Sequence, residues 1–510
     1  MTSPNAPARG SQLSASMRST PVHVSHEVRA SARAGVLAVL LAVGLFLTVF
    51  AQPPALPVQL AVVAALGVTL LPWVIGAKTE FDIFSPIYLY SVAFFVLFVL
   101  RPAVMYAFTD SSPSWLGYDI SRTYSPAILL GVYGTIAVYV GFYLGPTPRE
   151  RAPRLPRRLS AVRLAVATSA LIVTSAVAYA YFIGSAGGAG AIALLLGGRS
   201  LAFGAVLQGA NGYLYTAPLW LASAGVLLLA WVRSWLSPGG LFAIVLIVAS
   251  ELIPLAFGDR SWFLPAAMAV AIVFYLRRGR RPSLGLIALL IPVVFIFGIT
   301  LPREYRNFQV RQAYSATDVV STTVDDLPTA TSSFLTGLDT AMLDDLAVEM
   351  ATVPDPNDYQ HGSTYVEALT RPVPRAIWPT KPFAAEVTLM GTLWPSLASI
   401  TQFYFSMFGE PYFNGGALGV GIVGVLFGAF WRYLWLALRR QFDSPIAMAL
   451  YAVSLPFIFV YMRGGVGADY QREVIFTAPI LALAVLAATR GPKRTTVARS
   501  LDLKATVREP

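Results

Sequence analysis

The chain has 510 residues, of which 56% are hydrophobic and only 12% are charged. Soluble domains carry about twice that charged fraction, so the composition indicates a membrane protein rather than a soluble enzyme. There is no cysteine, which excludes disulfides and thiolate nucleophiles, and the three histidines (His23, His26 and His361) disfavour a multi-histidine metal site. The net charge is +11, but the basic residues lie at the ends of apolar runs. We therefore interpret them as topology signals and expect no nucleic-acid partner.

Apolar runs near twenty residues long recur along the chain and predict transmembrane helices. The predicted fold class is an all-α polytopic membrane protein with about 12 transmembrane helices and one large extracytoplasmic loop. The predicted spans are 34–51, 57–76, 84–104, 125–145, 162–183, 214–232, 240–257, 261–276, 283–301, 412–436, 444–462 and 474–489.

The spans divide the chain into five parts. Residues 1–33 and 490–510 are polar tails, 34–301 holds spans one to nine, 302–411 is the large loop, and 412–489 holds spans ten to twelve. Arginine and lysine cluster in loops that an even span count places on one side, at 146–163, 277–281, 439–440 and 490–494. Because cytoplasmic loops are enriched in these residues, we expect a cytoplasmic membrane protein with both termini in the cytoplasm.

The large loop contains a stretch, 332–350, with the apolar spacing of an amphipathic helix. Its apolar stripe consists of Leu335, Leu338, Met342 and Leu346, and its acidic residues include Asp339, Asp345 and Glu349. We expect this helix to lie on the membrane or to cover the site.

Cationic side chains gather at the outer ends of the spans, against the usual charge distribution. They are Arg260, Arg303, Arg306, Arg371, Arg375, Lys381, Arg463 and Arg472. Arginine binds phosphate through two parallel hydrogen bonds and keeps its charge, so this group suits a lipid-linked pyrophosphate. The alternative is that each cation pairs with a nearby carboxylate or a lipid headgroup.

The segment RPVPRAIWPTKP at 371–382 concentrates these cations beside a tryptophan. Its prolines exclude a regular helix. On a polyproline-like path, with three residues per turn, Arg375, Trp378 and Lys381 share one face. Such a face offers charges to a phosphate and an indole to a sugar, whereas the alternative is a rigid structural turn.

Three segments resemble the signature of Wzy-type oligosaccharide repeat-unit polymerases. HGSTYVEAL at 361–369 carries the family's G-x-[ST]-Y pattern, and 371–382 carries its PR-x-[IL]-W-P-x-K-P pattern. FGEPYFNGGALGVGIVG at 408–424 resembles its G-E-x-[YF]-x-N-[FG]-G pattern, and GDR at 258–260 and RPA at 101–103 also fit. The chain departs from the pattern at Gly415, where many members have phenylalanine.

The resemblance implies an enzyme that joins undecaprenyl-pyrophosphate-linked oligosaccharides on the outer side of the cytoplasmic membrane. It also implies a fold related to the GT-C glycosyltransferases and a reaction without metal or cofactor. The implied partners are the lipid-linked glycan, membrane lipids, and a flippase and chain-length regulator of the same pathway.

Such a reaction needs a general base for the acceptor hydroxyl. Glu410 is the first candidate, because an acidic group at membrane depth is costly unless it is used or paired. His361, the histidine of the outer loop, is the second candidate. The alternatives are a salt bridge between Glu410 and an arginine, and no chemical role for His361.

Three other functions remain open. A metal-dependent GT-C transferase usually has acidic residues in its first outer loop, but here that loop is AQPPAL at 51–56. A ligase similar to O-antigen ligase uses the same donor, and the WPTKP segment favours the polymerase. A lipid-linked oligosaccharide flippase is expected to show charges inside its spans and internal repeats; most spans here lack interior charge, and no internal repeat is visible.

Overall fold

The computed structural model describes residues 57–77, 82–107, 112–149, 154–196, 212–256, 262–283, 285–286, 332, 334–371, 373, 378, 380, 385–396 and 405–489. Among these residues, eight helices are long and apolar enough to cross a membrane, and shorter apolar helices cover Pro238–Pro254 and Phe263–Arg277. The protein is therefore a helical polytopic membrane protein. The predicted span 34–51 and nearly all of 283–301 lie outside the described residues, so the count of twelve stays a prediction.

The described helices are α1 (Val58–Ala77), α2 (Pro86–Phe94), α3 (Tyr124–Leu144), α4 (Ala161–Ser185), α5 (Ala189–Leu196), α6 (Leu219–Trp231), α7 (Pro238–Ala256), α8 (Phe263–Arg277), α9 (Met342–Thr352), α10 (Ser363–Thr370), α11 (Ala385–Leu393), α12 (Ser406–Arg439), α13 (Pro445–Ser454), α14 (Phe457–Gly464) and α15 (Val466–Ala487). Helix α2 continues in π-helical form over Phe95–Leu100 and Ala103–Ala107. One short antiparallel ladder pairs β1 (Ser114–Trp115) with β2 (Tyr118–Asp119).

Helices α3 and α12 cross closely, and glycine makes this possible. A Cβ atom on Gly428 would lie 2.0 Å from the carbonyl oxygen of Val138, and one on Gly141 would lie 2.0 Å from that of Val425. Small residues let helix backbones approach in this way, which increases the van der Waals contact between them. This crossing fixes α12, whose first turns carry Glu410.

Helix α12 begins at Ser406 rather than at 412, and it is broken inside. Gly415 and Gly416 have non-helical backbone angles, with φ −163° and ψ 27° at the first and φ 60° and ψ −153° at the second. A Cβ atom on Gly416 would also lie 2.9 Å from the hydroxyl oxygen of Tyr359. The break separates a short buried segment, which holds Glu410, from the long membrane-crossing segment.

The described parts of the predicted basic loops 146–163, 277–281 and 439–440 lie at one end of the helices, which we call the basic end; loop 490–494 lies outside the described residues. There Leu159 pairs with Ala488 in a backbone bridge, and Ser444 Oγ donates to the Pro156 carbonyl at 2.7 Å. In the same way, Arg281 binds Asp82 through two hydrogen bonds of 2.7 and 2.8 Å. The described parts of the loops 146–163 and 277–281 therefore pack against neighbouring helix ends.

The opposite end, which we call the site end, is covered by the described part of the large loop. A short 3₁₀ helix spans Leu338–Thr340, and α9 follows it, so the predicted helix 332–350 is interrupted and starts later. Helix α9 packs on α3 and α12 and is buried from Met342 to Glu349: Asp344, Asp345 and Glu349 are at most 1% exposed. Of the two expected positions for this helix, the one on the membrane surface is wrong, because its acidic face meets protein rather than water.

Candidate functional site

Three segments that are far apart in the chain meet around the carboxylate of Glu410, which is completely buried. Its Oε2 accepts a hydrogen bond of 2.7 Å from the Gly467 amide. Its Oε1 lies 3.5 Å from the hydroxyl of Thr364, a marginal hydrogen bond. Cβ atoms on Gly465 and Gly467 would lie 2.6 and 2.3 Å from the two carboxylate oxygens, so glycine is required at both positions.

The position of Glu410 at a helix N-terminus explains how its burial is tolerated. Gly467 is the second residue of α15, whose first amide groups have no partner within the helix. A carboxylate there accepts such an amide and interacts favourably with the helix dipole. Glu410 therefore joins the start of α12 to the start of α15.

Asn414, one turn after Glu410, ties the loop residues 361–364 to α12. Its side-chain amide donates to Thr364 Oγ1 at 2.7 Å and to the Glu410 carbonyl at 2.8 Å. Its Oδ1 accepts from the Gly362 amide at 2.9 Å, and its backbone carbonyl accepts from the His361 amide at 3.1 Å. The sequence segments GSTY and GEPYFN, which carry the family resemblance, are thus in direct contact.

His361 lies at the edge of this network with an exposed side chain. Its φ is 48°, in the left-handed region, and Gly362 follows with φ 87°. A non-glycine residue in this region is uncommon, and such residues cluster at functional sites because the surrounding structure must hold them there. The bonds from Asn414 supply that constraint, and they present the imidazole to the outside.

The described arginines among the predicted phosphate ligands are all ion-paired. Arg463 lies 3.0 Å from Asp339, and Arg472 lies 2.9 Å from Asp469. For these two residues, the alternative of pairing with a nearby carboxylate is therefore seen in the structure.

Arg371 has two carboxylate partners. It lies 2.6 Å from Glu367, one turn earlier on α10, and 3.6 Å from Glu386 of α11. Burial disfavours the charge of Arg371, but the bonds to Glu367 and the charges of Glu386 and Asp469 outweigh it and raise its pKa. Arg371 thus fastens α11 to the end of α10.

The remaining predicted ligands are less buried or not described. Trp378 is 38% exposed and donates a hydrogen bond of 3.2 Å to Thr380 Oγ1. Arg260, Arg303, Arg306, Arg375 and Lys381 lie outside the described residues. In the described ranges, no group of three or more histidine, aspartate or glutamate side chains is placed to hold a metal ion.

Sequence reasoning missed Arg101, although RPA at 101–103 was noted as a motif. This arginine is completely buried between the two π-helical turns of the third predicted span, 84–104. It binds Asp344 at 2.5 Å, donates to the carbonyls of Leu335 and Gly337 at 2.9 and 2.8 Å, and donates to Thr340 Oγ1 at 2.9 Å. Arg101 thereby fixes the large loop to the spans.

The sequence also did not predict that Asp345 and Glu349, one turn apart on α9, would be buried. Trp115 Nε1 donates to Asp345 Oδ1 at 2.7 Å, and burial raises the pKa of Asp345 to about 8. Burial, reinforced by the charges of Asp345 and Glu410, raises the pKa of Glu349 well above its usual range. The Glu349 oxygens accept no hydrogen bond from the described part of the chain, and they face Gly409, where a Cβ would lie 2.6 Å away. Burial therefore favours the neutral form of Glu349, which lies close to Glu410.

Comparison with known proteins gives no match to a family model, to a curated protein or to a solved structure.

Proposed function

We propose that the protein polymerises lipid-pyrophosphate-linked oligosaccharide repeat units into a surface polysaccharide. The observation that supports this most is the convergence of 361–365 and 409–414 on the start of α15. Both 361–365 and 409–414 carry motifs that resemble Wzy-type polymerases. In the structure these two motifs are in contact, which supports a common role for them. The converging residues lie at the site end, where a membrane-anchored donor and acceptor meet.

The proposed reaction is a glycosyl transfer between two lipid-linked chains. The hydroxyl oxygen of the acceptor sugar attacks the anomeric carbon of the donor, and the bond from that carbon to the pyrophosphate oxygen breaks. A general base receives the hydroxyl proton, and cations stabilise the charge of the departing lipid pyrophosphate. No redox partner is required.

The geometry favours His361 over Glu410 as that base. The imidazole is exposed, whereas both oxygens of Glu410 are enclosed by Gly465, Gly467 and Thr364. Histidine is also the side chain that most often serves as a general base. We assign Glu410 and Asn414 the positioning role, because they hold the strained 361–362 turn.

The cations that receive the pyrophosphate are proposed to be Arg260, Arg303, Arg306, Arg375 and Lys381. A carboxylate partner is already present for each of Arg371, Arg463 and Arg472. We therefore assign these three arginines a structural role around the site. Trp378 is proposed to stack on a sugar or on the lipid. Replacing Arg375 or Lys381 by alanine is expected to abolish polymer while the protein still inserts into the membrane.

The test is polymer formation by the purified chain from an undecaprenyl-pyrophosphate oligosaccharide in the presence of EDTA. A ladder of products is expected. A requirement for divalent metal would indicate a GT-C transferase instead, and a single transfer to a different acceptor would indicate a ligase. Movement of the intact donor across liposomes without new glycosidic bonds would indicate a flippase. Each of these three results would contradict the polymerase.

A further inference from the structure

The basic end contains a cleft of about 140 Å³ between the loop after α3 and the end of α12. Its lining includes four arginines and one acid, which are Arg149, Arg154, Arg157, Arg440 and Asp443. The proposed transfer reaction, which takes place at the opposite end, does not use it. We call this feature the basic cleft.

The walls of the basic cleft are held together by hydrogen bonds. The Leu155 amide donates to Gln441 Oε1 at 2.7 Å, and Arg440 Nη1 donates to the Pro148 carbonyl at 3.2 Å. Together with the bond from Ser444 to Pro156 at 2.7 Å, these contacts fasten the loop across the helix end. The cleft therefore exists before any ligand binds, which lowers the entropic cost of binding.

The charges in the cleft are not balanced within the described part of the chain. Arg157 pairs with Asp443 at 2.7 Å, but Arg149, Arg154 and Arg440 form no ion pair with a described carboxylate. Three guanidinium groups around one small cavity repel each other unless an anion joins them. Phosphate oxygens fit the planar donor groups of arginine particularly well.

An exposed apolar stripe leads away from the cleft along α12. It starts at Ala437, which lines the cleft, and continues at helical spacing through Tyr433, Phe430, Leu426, Ile422 and Leu418. These five side chains are 44–66% exposed. Residues three or four apart lie on one face of a helix, so the stripe is a continuous apolar surface from the cleft into the membrane.

We propose that the basic cleft and the apolar stripe together bind an acidic phospholipid, with its phosphate in the cleft and an acyl chain along the stripe. Basic pockets at the cytoplasmic ends of transmembrane helices are suited to such headgroups. A soluble phosphate would use the cleft alone. A zwitterionic lipid carries its own cation, which competes with the arginines.

Native mass spectrometry of the full-length chain in a neutral detergent tests the proposal. The probes are phosphatidylglycerol, phosphatidylcholine with the same acyl chains, and glycerophosphoglycerol, which is the headgroup without chains. The variant is Arg149→Gln/Arg154→Gln, since both side chains are exposed. The matched control is Arg158→Gln/Arg163→Gln, which removes the same charge from the same end but not from the cleft.

We expect wild type and control to bind phosphatidylglycerol more tightly than phosphatidylcholine, and the cleft variant to lose about 25-fold in affinity for phosphatidylglycerol, since each arginine near a membrane surface contributes about fivefold. Equal binding of the two lipids by the wild type would overturn the proposal. Equal losses in the variant and the control would also overturn it, because the effect would then be general charge. Binding of glycerophosphoglycerol as tight as that of the intact lipid would show a soluble-anion site instead.

Discussion

The Gly467 amide donates a hydrogen bond of 2.7 Å to the Glu410 carboxylate, and this bond joins two residues that are 57 positions apart in the chain. This bond connects the two helix starts that bracket the site end. Because Glu410 is buried and Gly467 has no room for a side chain, the contact is a fixed part of the fold. The first prediction follows from it.

Replacing Glu410 by alanine should lower the free energy of unfolding by about 1–3 kcal/mol, because the buried Gly467 amide loses its acceptor. Glu410→Gln, which keeps one oxygen, should lose less. The measurement is the thermal unfolding midpoint of the purified protein. Glu349→Gln is the matched control, since no described residue donates a hydrogen bond to Glu349. A Glu410→Ala variant as stable as that control would contradict the assigned role.

Asp345 should make the protein less stable as the pH rises. Burial raises its folded pKa from 3.8 to about 8, so between these values the folded state holds a proton that the unfolded state has released. Stability therefore falls with increasing pH, by at most roughly 1.4 kcal/mol per pH unit for one group. Asp345→Asn should make the profile of unfolding midpoint against pH less steep between about pH 4 and 8, and the raised pKa of Glu349 should leave a smaller slope of the same sign.

The control for the pH profile is Asp119→Asn. Asp119 is exposed, and the hydrogen bond from the Ser121 amide lowers its pKa, so it has no proton to hold in this range. This variant should keep the wild-type slope. A slope in Asp345→Asn as steep as that of the wild type would contradict this prediction and show that other groups carry the pH dependence.

Arg101→Gln should destabilise the protein and release the loop segment 334–341. Removing one partner of a buried ion pair costs about 3–5 kcal/mol, and two loop carbonyls also lose their donor. Faster proteolysis in this segment and a lower unfolding midpoint are expected. Arg157→Gln breaks the exposed pair with Asp443 and should change stability by about 0–1 kcal/mol. Equal effects of the two substitutions would contradict the anchoring role of Arg101.

Gly428→Ala should disturb the crossing of α3 and α12, because the new methyl group would overlap the Val138 carbonyl. Overpacking of this kind costs about 1–3 kcal/mol. Gly391→Ala is the control, since Gly391 lies in helix α11 with no atom within 4 Å of its Cβ position. That control should be neutral or slightly stabilising. A lower unfolding midpoint for Gly391→Ala than for Gly428→Ala would contradict the close crossing of α3 and α12.

The apolar helices could be predicted because their signal is local: a run of sufficient length and hydropathy appears in the sequence wherever the helix packs. The burial of the acidic face of α9 could not be predicted in this way. Its pattern of apolar and acidic residues is the same whether the acidic face meets water or meets buried partners. Asp344 meets Arg101, which lies 243 residues earlier in the chain, and no local pattern carries that pairing.

The candidate site shows the same limit. Glu410 and His361 stood out by residue type and neighbouring glycines, but which of them is accessible depends on α15. The sequence does not show that Gly467 closes over Glu410, nor that Asn414 holds His361 at a positive φ. Which of the two side chains is accessible therefore could not be predicted from the sequence.

The most direct measurement of the central claim is polymer formation from an undecaprenyl-pyrophosphate oligosaccharide by purified His361→Asn and His26→Asn proteins, assayed beside the wild type. His26 lies in the N-terminal tail, so its variant controls for the loss of a histidine. The account predicts a full ladder for the wild type and for His26→Asn, and no ladder for His361→Asn at an unchanged unfolding midpoint. A normal ladder from His361→Asn would contradict the proposed site.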